Sequence, residues 1–94
     1  MTNEADYSVY VAPSATRDID RLPGHIRQRV RRLIRTLAQA PRPLGSLELR
    51  EAPGLYRIRL EKWRIIYQVD DEARTVAVLR VRLKTGPETY HDIV

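Results

Sequence analysis

The chain has 94 residues, of which 43% are hydrophobic and 31% charged, as is typical of a folded globular protein with room for one core. It has no cysteine, which excludes disulfides and thiolate metal sites, and no apolar run approaches the roughly 20 residues that a membrane span needs. Seventeen basic residues, mostly arginine, against 12 acidic ones give a net charge of +5, which favours a polyanionic partner, nucleic acid first.

The N-terminal third predicts a strand followed by two helices. Residues 7–11 alternate between apolar and more polar positions, as in a strand. Pro13 and Ser14 are typical of a helix start, with Ser14 as the predicted N-cap residue. The apolar residues of this short helix fall on one face, and Pro23 and Gly24 end it.

The second helix is the clearest element in the sequence. Its apolar residues recur at steps of three and four and form one stripe, which comprises Ile26, Val30, Leu33, Ile34 and Leu37. A separate row at steps of four holds Arg27, Arg31 and Arg35, and this row either contacts RNA phosphates or is a solvated helix face. Because Pro41 and Pro43 end the helix, the two helices are expected to form a hairpin with one apolar side.

After the helices the apolar period changes to two. This predicts a short strand and then three longer strands, at residues 47–49, 55–60, 63–69 and 75–83. Helices that are contiguous in sequence beside a run of strands indicate an α+β fold. We therefore expect a helical hairpin packed on one face of a mainly antiparallel sheet of four to five strands, in a single domain over residues 1–94.

Alternation along the longer strands predicts which side chains share a face. If residues 61–62 form a two-residue hairpin loop, Arg59 lies opposite Arg64, and residues directly opposite each other point to the same side. The face toward the helices then holds seven residues: Tyr56, Ile58, Leu60, Trp63, Ile65, Tyr67 and Val69. Arg57, Arg59 and Arg64 point to the other face.

The last strand is expected to follow the same rule. Four apolar residues would face the helices: Ala77, Leu79, Val81 and Leu83. Three cations alternate with them and would join the arginines above in a patch of six: Arg80, Arg82 and Lys84. Because like charges opposite one another destabilise a sheet, the patch favours a polyanion site over a solvated face in which Glu48, Glu51 or Glu61 pairs with the arginines.

Several segments match one known family in their order and spacing. They are the hairpin strands at 55–60 and 63–71, the N-terminal strand, the arginine-rich helices with Asp18, the proline linker before Gly45, and a final basic strand with Tyr90 after it. In these segments the chain resembles the RelE/ParE superfamily of toxins, over essentially its whole length. No one motif is unique, and the resemblance lies in their combination.

Similarity to the RelE branch implies the toxin of a type II toxin–antitoxin system, an mRNA endonuclease that acts on the ribosome and inhibits translation and growth. The implied reaction is attack of the RNA 2′-OH on the adjacent phosphate, with no metal or other cofactor. The family's catalytic positions fall on five residues of this chain: Arg57, Arg59, Arg64, Lys84 and Tyr90. Five further arginines are expected to bind RNA: Arg80 and Arg82 of the last strand, and Arg27, Arg31 and Arg35 of the second helix.

Two features depart from the family's usual pattern. The family often has lysine where this chain has Arg57 and Arg59, and an arginine is common where this chain has Lys84. Because arginine keeps its proton, Arg59 is a poor general base, whereas Lys84 is a candidate acid or base. Four further side chains are candidate proton carriers: Glu61, Glu88, His91 and Asp92.

Two other functions remain open. Toxins of the ParE branch share the scaffold and inhibit DNA gyrase, although the basic strand positions and Tyr90 favour the nuclease. The second alternative is a non-catalytic module that binds RNA or an antitoxin. The family resemblance further implies a cognate antitoxin in a hetero-oligomer, on the helical hairpin or on the sheet, and an acidic, partly disordered one would suit the +5 charge. Residues 1–6 do not resemble a signal peptide, so the cytoplasm, with the ribosome and mRNA as partners, is expected.

Overall fold

The computed structural model describes residues 6–83, which form two helices and a five-stranded sheet. In chain order the elements are β1 (Ser8–Val11), α1 (Pro13–Asp20), α2 (Gly24–Thr36), β2 (Ser46–Glu48), β3 (Leu55–Leu60), β4 (Trp63–Asp70) and β5 (Thr75–Leu83). The strands lie side by side in the order β1-β5-β4-β3-β2, with β1 parallel to β5 and the other neighbours antiparallel. The predicted α+β architecture with a mainly antiparallel sheet is confirmed.

Each helix buries one apolar stripe against the sheet. Helix α1 contributes Ala15 and Ile19, and α2 contributes Ile26, Val30 and Ile34. The sheet side of this helix-side core is formed by Ile58, Ile65, Tyr67, Val69, Val76, Val78 and Val81. The seven residues predicted to face the helices from β3 and β4 all lie in this core or pack against it, so that prediction is confirmed. Neither described helix is long and apolar enough to cross a membrane.

The start of α1 differs from the prediction. The helix begins at Pro13, Ala12 occupies the N-cap position with an extended backbone, and no side chain caps this end. Proline suits the first helical position because it lacks the N–H that would have no partner there. Ser14 therefore lies inside the first turn, and its hydroxyl donates a hydrogen bond to the Leu79 carbonyl oxygen of β5 at 2.8 Å.

Strand β5 contains a β-bulge that its period-two pattern does not reveal. Ile66 pairs with Arg80 while the next residue of β4, Tyr67, pairs with Val78, so β5 has one extra residue, Leu79. Before the bulge even-numbered residues face the helices, and after it odd-numbered residues do. The predicted helix-facing set was therefore wrong for two of its members, Ala77 and Leu79.

The other face of the sheet carries a second, smaller apolar cluster. The loop between β2 and β3 folds against this face, and the cluster is formed by Leu49, Ala52, Leu55 and Ile66, with Leu79 packed against them. Gly54 has a φ of +91°, which favours glycine, and its N–H donates to the Glu48 carboxylate at 3.0 Å. The cluster occupies one part of this face, beside the arginines of β3 and β4.

A polar network fastens the linker after α2 to the end of the sheet away from the β3–β4 hairpin loop. The Arg42 guanidinium donates to both carboxylate oxygens of Asp71, at 3.1 and 2.8 Å, and to the Tyr56 hydroxyl at 2.8 Å. The Tyr7 hydroxyl also donates to Asp71, at 2.7 Å. The network thus joins the segment before β1, the linker, β3 and the β4–β5 turn.

This network predicts a dependence of stability on acid. Hydrogen bonds from Arg42 and then from Tyr7 hold the pKa of Asp71 below its ordinary value of 3.8. Because the folded-state pKa is the lower one, the carboxylate's contribution to stability is complete above the unfolded-state pKa and is lost as the pH falls through the folded-state pKa. We expect Asp71→Asn to lower the melting temperature at neutral pH and to flatten its fall in acid, in thermal melts across a pH series.

The matched control is Glu72→Gln, because Glu72 is exposed and forms no hydrogen bond or ion pair within the described chain. Its melting profile should follow that of the wild type. Equal acid slopes for Asp71→Asn and the wild type would contradict the prediction.

Candidate nucleic-acid interface

Three arginines lie side by side on the sheet face away from the helices. Arg59 of β3 pairs directly with Arg64 of β4, and Arg64 pairs directly with Arg82 of β5. Directly opposed residues of antiparallel strands point to the same side, with their Cβ atoms about 4.5–5.5 Å apart. The predicted hairpin register is confirmed, and these three residues, which we call the arginine row, cross three neighbouring strands.

Arg64 is the buried centre of the arginine row. It is 5% exposed and is the one buried polar or charged residue among those described. Its Nη1 lies 3.5 Å from the Trp63 carbonyl oxygen, a long hydrogen bond, and its buried Nε has no partner. No carboxylate within residues 6–83 forms an ion pair with it. Because burying a charge without a partner is costly, a guanidinium with no carboxylate partner among the described residues is expected to lower stability and to favour a bound anion.

The glutamates nearest to the arginine row do not neutralise it. The Glu61 carboxylate pairs with Arg29 of α2, and only its backbone oxygen accepts a hydrogen bond from Arg59 Nε, at 3.2 Å. Glu48 accepts a backbone N–H from the loop before β3, and exposed Glu51 forms no ion pair to the row. The alternative in which Glu48, Glu51 or Glu61 forms ion pairs with Arg59 or Arg64 is therefore wrong.

Arg57 borders the arginine row. It lies two residues before Arg59 on the same side of β3, between Leu47 of β2 and Ile66 of β4. Arg57 is half-buried, and both of its direct neighbours are apolar. Its position places one more positive charge beside the row, at the margin of the second apolar cluster.

Arg80 is directed to the edge of the sheet, so the predicted patch of six cations needs correction. Its Nε and Nη2 donate to the Asp18 carboxylate of α1 at 2.8 and 3.3 Å, and Asp18 also accepts the Val81 N–H at 2.9 Å. Strand β1 ends at Val11, so β5 extends beyond it, and α1 takes up the exposed strand edge. The periodicity of the sequence does not reveal this contact, because it depends on where β1 ends.

The three arginines predicted to lie along one side of α2 differ in exposure and in their contacts. Arg27 is half-buried; its Nη2 donates to the Leu22 carbonyl oxygen at 3.3 Å and its Nε has no partner among the described residues. Arg31 is exposed, with Asp20 at 3.9 Å, and Arg35 is exposed. Arg31 and Arg35 therefore present charge at the surface, whereas Arg27 is partly held by the end of α1.

Two predicted catalytic residues, Lys84 and Tyr90, lie outside the described residues, as do Glu88, His91 and Asp92. Their roles stay predictions. Over residues 6–83, no three histidine, aspartate or glutamate side chains come together as a group that could hold a metal ion.

The geometry of the arginine row suits a phosphodiester. Guanidinium groups donate paired hydrogen bonds to phosphate oxygens, and a buried one does so in surroundings of low dielectric constant. Arginine does not give up its proton, so the row acts as a set of fixed positive donors rather than as acid or base. It can bind a phosphate and stabilise additional negative charge on it.

Comparison with known proteins gives one family. The sequence matches the model for the ParE toxin of the type II toxin–antitoxin system parDE over residues 9–84. It is 34% identical over 76 residues to Toxin RelG of Mycobacterium tuberculosis, covering 80% of this chain and 87% of that protein. It is 28% identical over 87 residues to Toxin RelE of the same organism, covering 92% and 90%.

Solved structures of toxins from the same family have a similar fold. The fold is similar to a chain of the toxin–antitoxin complex RelBE2 from M. tuberculosis, with a TM-score of 0.73, 32% identity, and coverage of 84% of this chain and 99% of that chain. It is also similar to a mutant of the E. coli toxin RelE in the free state, with a TM-score of 0.76, 26% identity and coverage of 92% of both chains.

Proposed function

The chain belongs to the RelE/ParE superfamily of toxins of type II toxin–antitoxin systems, and from this premise we propose that it is an endoribonuclease that cuts mRNA bound to the ribosome. The arginine row carries the proposal. Its central member, Arg64, is buried without a described carboxylate partner, between Arg59 and Arg82 in direct register. A cluster of this kind costs stability, and a bound polyanion offsets that cost.

The reaction is a phosphoryl transfer within the RNA, from the 5′-oxygen to the 2′-oxygen. The 2′-oxygen forms a bond to the adjacent phosphorus, and the bond from phosphorus to the 5′-oxygen breaks, which leaves a 2′,3′-cyclic phosphate and a 5′-hydroxyl. Arg59, Arg64 and Arg82 stabilise the extra negative charge on the phosphate oxygens in the transition state. The proton leaves the 2′-hydroxyl for a base and another reaches the leaving oxygen, and Lys84 is the candidate for one of these transfers.

The ribosome supplies part of the catalysis in this proposal. The described chain offers a charged, open sheet face rather than an enclosed active site, so the orientation of the 2′-hydroxyl must come from a held mRNA. We therefore expect weak cleavage of free RNA and fast cleavage of mRNA on ribosomes, and the proposal includes the cytoplasm as the compartment.

Inhibition of DNA gyrase is the second candidate, because the family model that matches the chain is described as ParE toxin. Gyrase inhibition needs no phosphoryl chemistry and gives no reason for a buried guanidinium that has no carboxylate partner among residues 6–83. The arginine row therefore favours the nuclease.

One pair of assays tests the proposal. The purified protein is added to ribosomes programmed with a defined mRNA and, in parallel, to a gyrase supercoiling reaction. The expected result is cleaved mRNA with 2′,3′-cyclic phosphate and 5′-hydroxyl ends, and unchanged supercoiling. Intact mRNA would overturn the nuclease proposal. Intact mRNA together with inhibited supercoiling would establish the gyrase candidate. Intact mRNA together with normal supercoiling would indicate a binding module.

The proposal includes a cognate antitoxin as partner. Two similar structures are a toxin–antitoxin complex from M. tuberculosis and the intact E. coli RelBE toxin–antitoxin complex. The net charge of +5 favours an acidic antitoxin, so binding should weaken as salt is raised.

A further inference from the structure

A groove lies between the end of α1 and the last residues of β5, at the sheet edge that β1 leaves uncovered. It has a volume of about 350 Å³, and its lining includes Arg21, Trp63, Arg80, Arg82 and Leu83. This volume is within the range of small-ligand sites, large enough for one nucleotide and too small for a duplex. The groove therefore combines an aromatic residue with three arginines in a space of nucleotide size.

The groove is continuous with the arginine row. Arg82 lines the groove and also pairs directly with Arg64 across β4 and β5. An RNA whose phosphate is bound at Arg64 thus has a neighbouring nucleotide within reach of the groove. The two sites therefore share Arg82.

Neither Trp63, which alternation predicts as a packing residue, nor Arg21 stands out in the sequence as a residue that binds a ligand. Trp63 packs against the helix-side core, is half-buried, and lines the groove as well. Arg21, at the C-terminal cap of α1, is exposed and forms no ion pair with any described residue. Asp18 fixes the opposite wall, because it binds Arg80 and the backbone of β5.

We propose that this groove is a subsite for one single-stranded RNA nucleotide next to the phosphate held by the arginine row. Its base stacks on the Trp63 indole and its phosphate binds Arg21. Proteins that bind single-stranded nucleic acid combine these two features, an aromatic surface for the base and a cationic groove for the backbone. This inference rests on the proposed function and adds the residues that hold the RNA beside the cleaved bond.

The test uses the fact that Trp63 is the chain's one tryptophan, so tryptophan fluorescence reports on the groove alone. The purified protein is titrated with adenosine 5′-monophosphate and, separately, with ribose 5-phosphate, which has the same phosphate and sugar but no base. We expect saturable quenching by the nucleotide and none by the sugar phosphate, which should instead compete with the nucleotide. Arg21→Gln should raise the apparent Kd about threefold to tenfold.

The matched control is Arg32→Gln, the same change of charge at an exposed residue of α2 that forms no ion pair within residues 6–83. It should leave the apparent Kd within about twofold of the wild type. Equal weakening by both substitutions would mean diffuse electrostatic attraction and would overturn the subsite, as would the absence of saturable quenching.

The fluorescence titration tests the subsite independently of the mRNA cleavage assay that tests the proposed function. If the wild type cleaves mRNA on ribosomes and the nucleotide does not quench, the subsite is wrong and the nuclease stands. If quenching follows the expected pattern and mRNA stays intact, the groove binds a nucleotide and the nuclease is wrong.

Discussion

Replacing Arg64 with methionine is expected to lower the rate of mRNA cleavage on ribosomes by about 100- to 1,000-fold, the usual effect of removing one donor that stabilises a developing oxyanion. The same change should leave the protein folded and raise its free energy of unfolding by about 1 kcal/mol. Methionine keeps an apolar stem at a site that is 5% exposed and removes a charge that has no described carboxylate partner. Activity and stability are thus expected to move in opposite directions.

Single-turnover cleavage and urea denaturation measure the two effects. Arg64→Lys provides a second variant, which keeps the charge, loses the paired donors of the guanidinium, and should fall between the wild type and Arg64→Met in rate. Arg32→Met is the control for removal of an arginine from the surface, and both of its values should stay close to those of the wild type. Cleavage by Arg64→Met within threefold of the wild type, or a lower stability, would show that Arg64 is a structural residue.

Replacing Asp18 with alanine is expected to lower the free energy of unfolding by about 3 kcal/mol. Its side chain is 11% exposed and accepts hydrogen bonds from Arg80 Nε at 2.8 Å and from the Val81 N–H at 2.9 Å. Alanine leaves a mostly buried guanidinium and a backbone donor without this acceptor, and a donor that loses its buried partner is expensive. It also releases α1 from the edge of β5.

Urea denaturation of Asp18→Ala, Arg80→Ala and the double variant gives the coupling energy between the two side chains, which should exceed about 1 kcal/mol. Asp20→Ala is the comparison within the same helix. Asp20 is exposed, with Arg31 at 3.9 Å, so its loss should change stability by less than about 0.5 kcal/mol. Indistinguishable stabilities for the Asp18 and Asp20 variants would mean that the Asp18–Arg80 pair does not hold α1 on the sheet.

The β3–β4 hairpin was predictable because local rules determine it. Alternation and a two-residue loop together leave one register, in which the seven residues predicted to face the helices share one side. The loop lacks the usual glycine or asparagine, and Glu61 takes the left-handed conformation, with a φ of +56°, in their place. The opposition of Arg59 and Arg64 follows from this register alone.

Strand β5 was only partly predictable, since residues 76–79 are all apolar and allow either phase of alternation. The extra residue, Leu79, is accommodated because an apolar cluster exists on each face of the sheet. The Asp18–Arg80 ion pair joins residues that are 62 positions apart, so no local pattern indicates it. The burial of Arg64 likewise depends on tertiary packing, whereas the sequence shows only one arginine among many.

The parallel pairing of β1 with β5 affects how the protein is made. Of the described strands, β5 leaves the ribosome last, yet it occupies the place between β1 and β4. A nascent chain that elongates at about 5–20 residues per second therefore holds an interrupted sheet until this segment emerges from the exit tunnel. Arg80, which binds Asp18, and Arg82 belong to the same segment, so the step that closes the sheet also completes the arginine row.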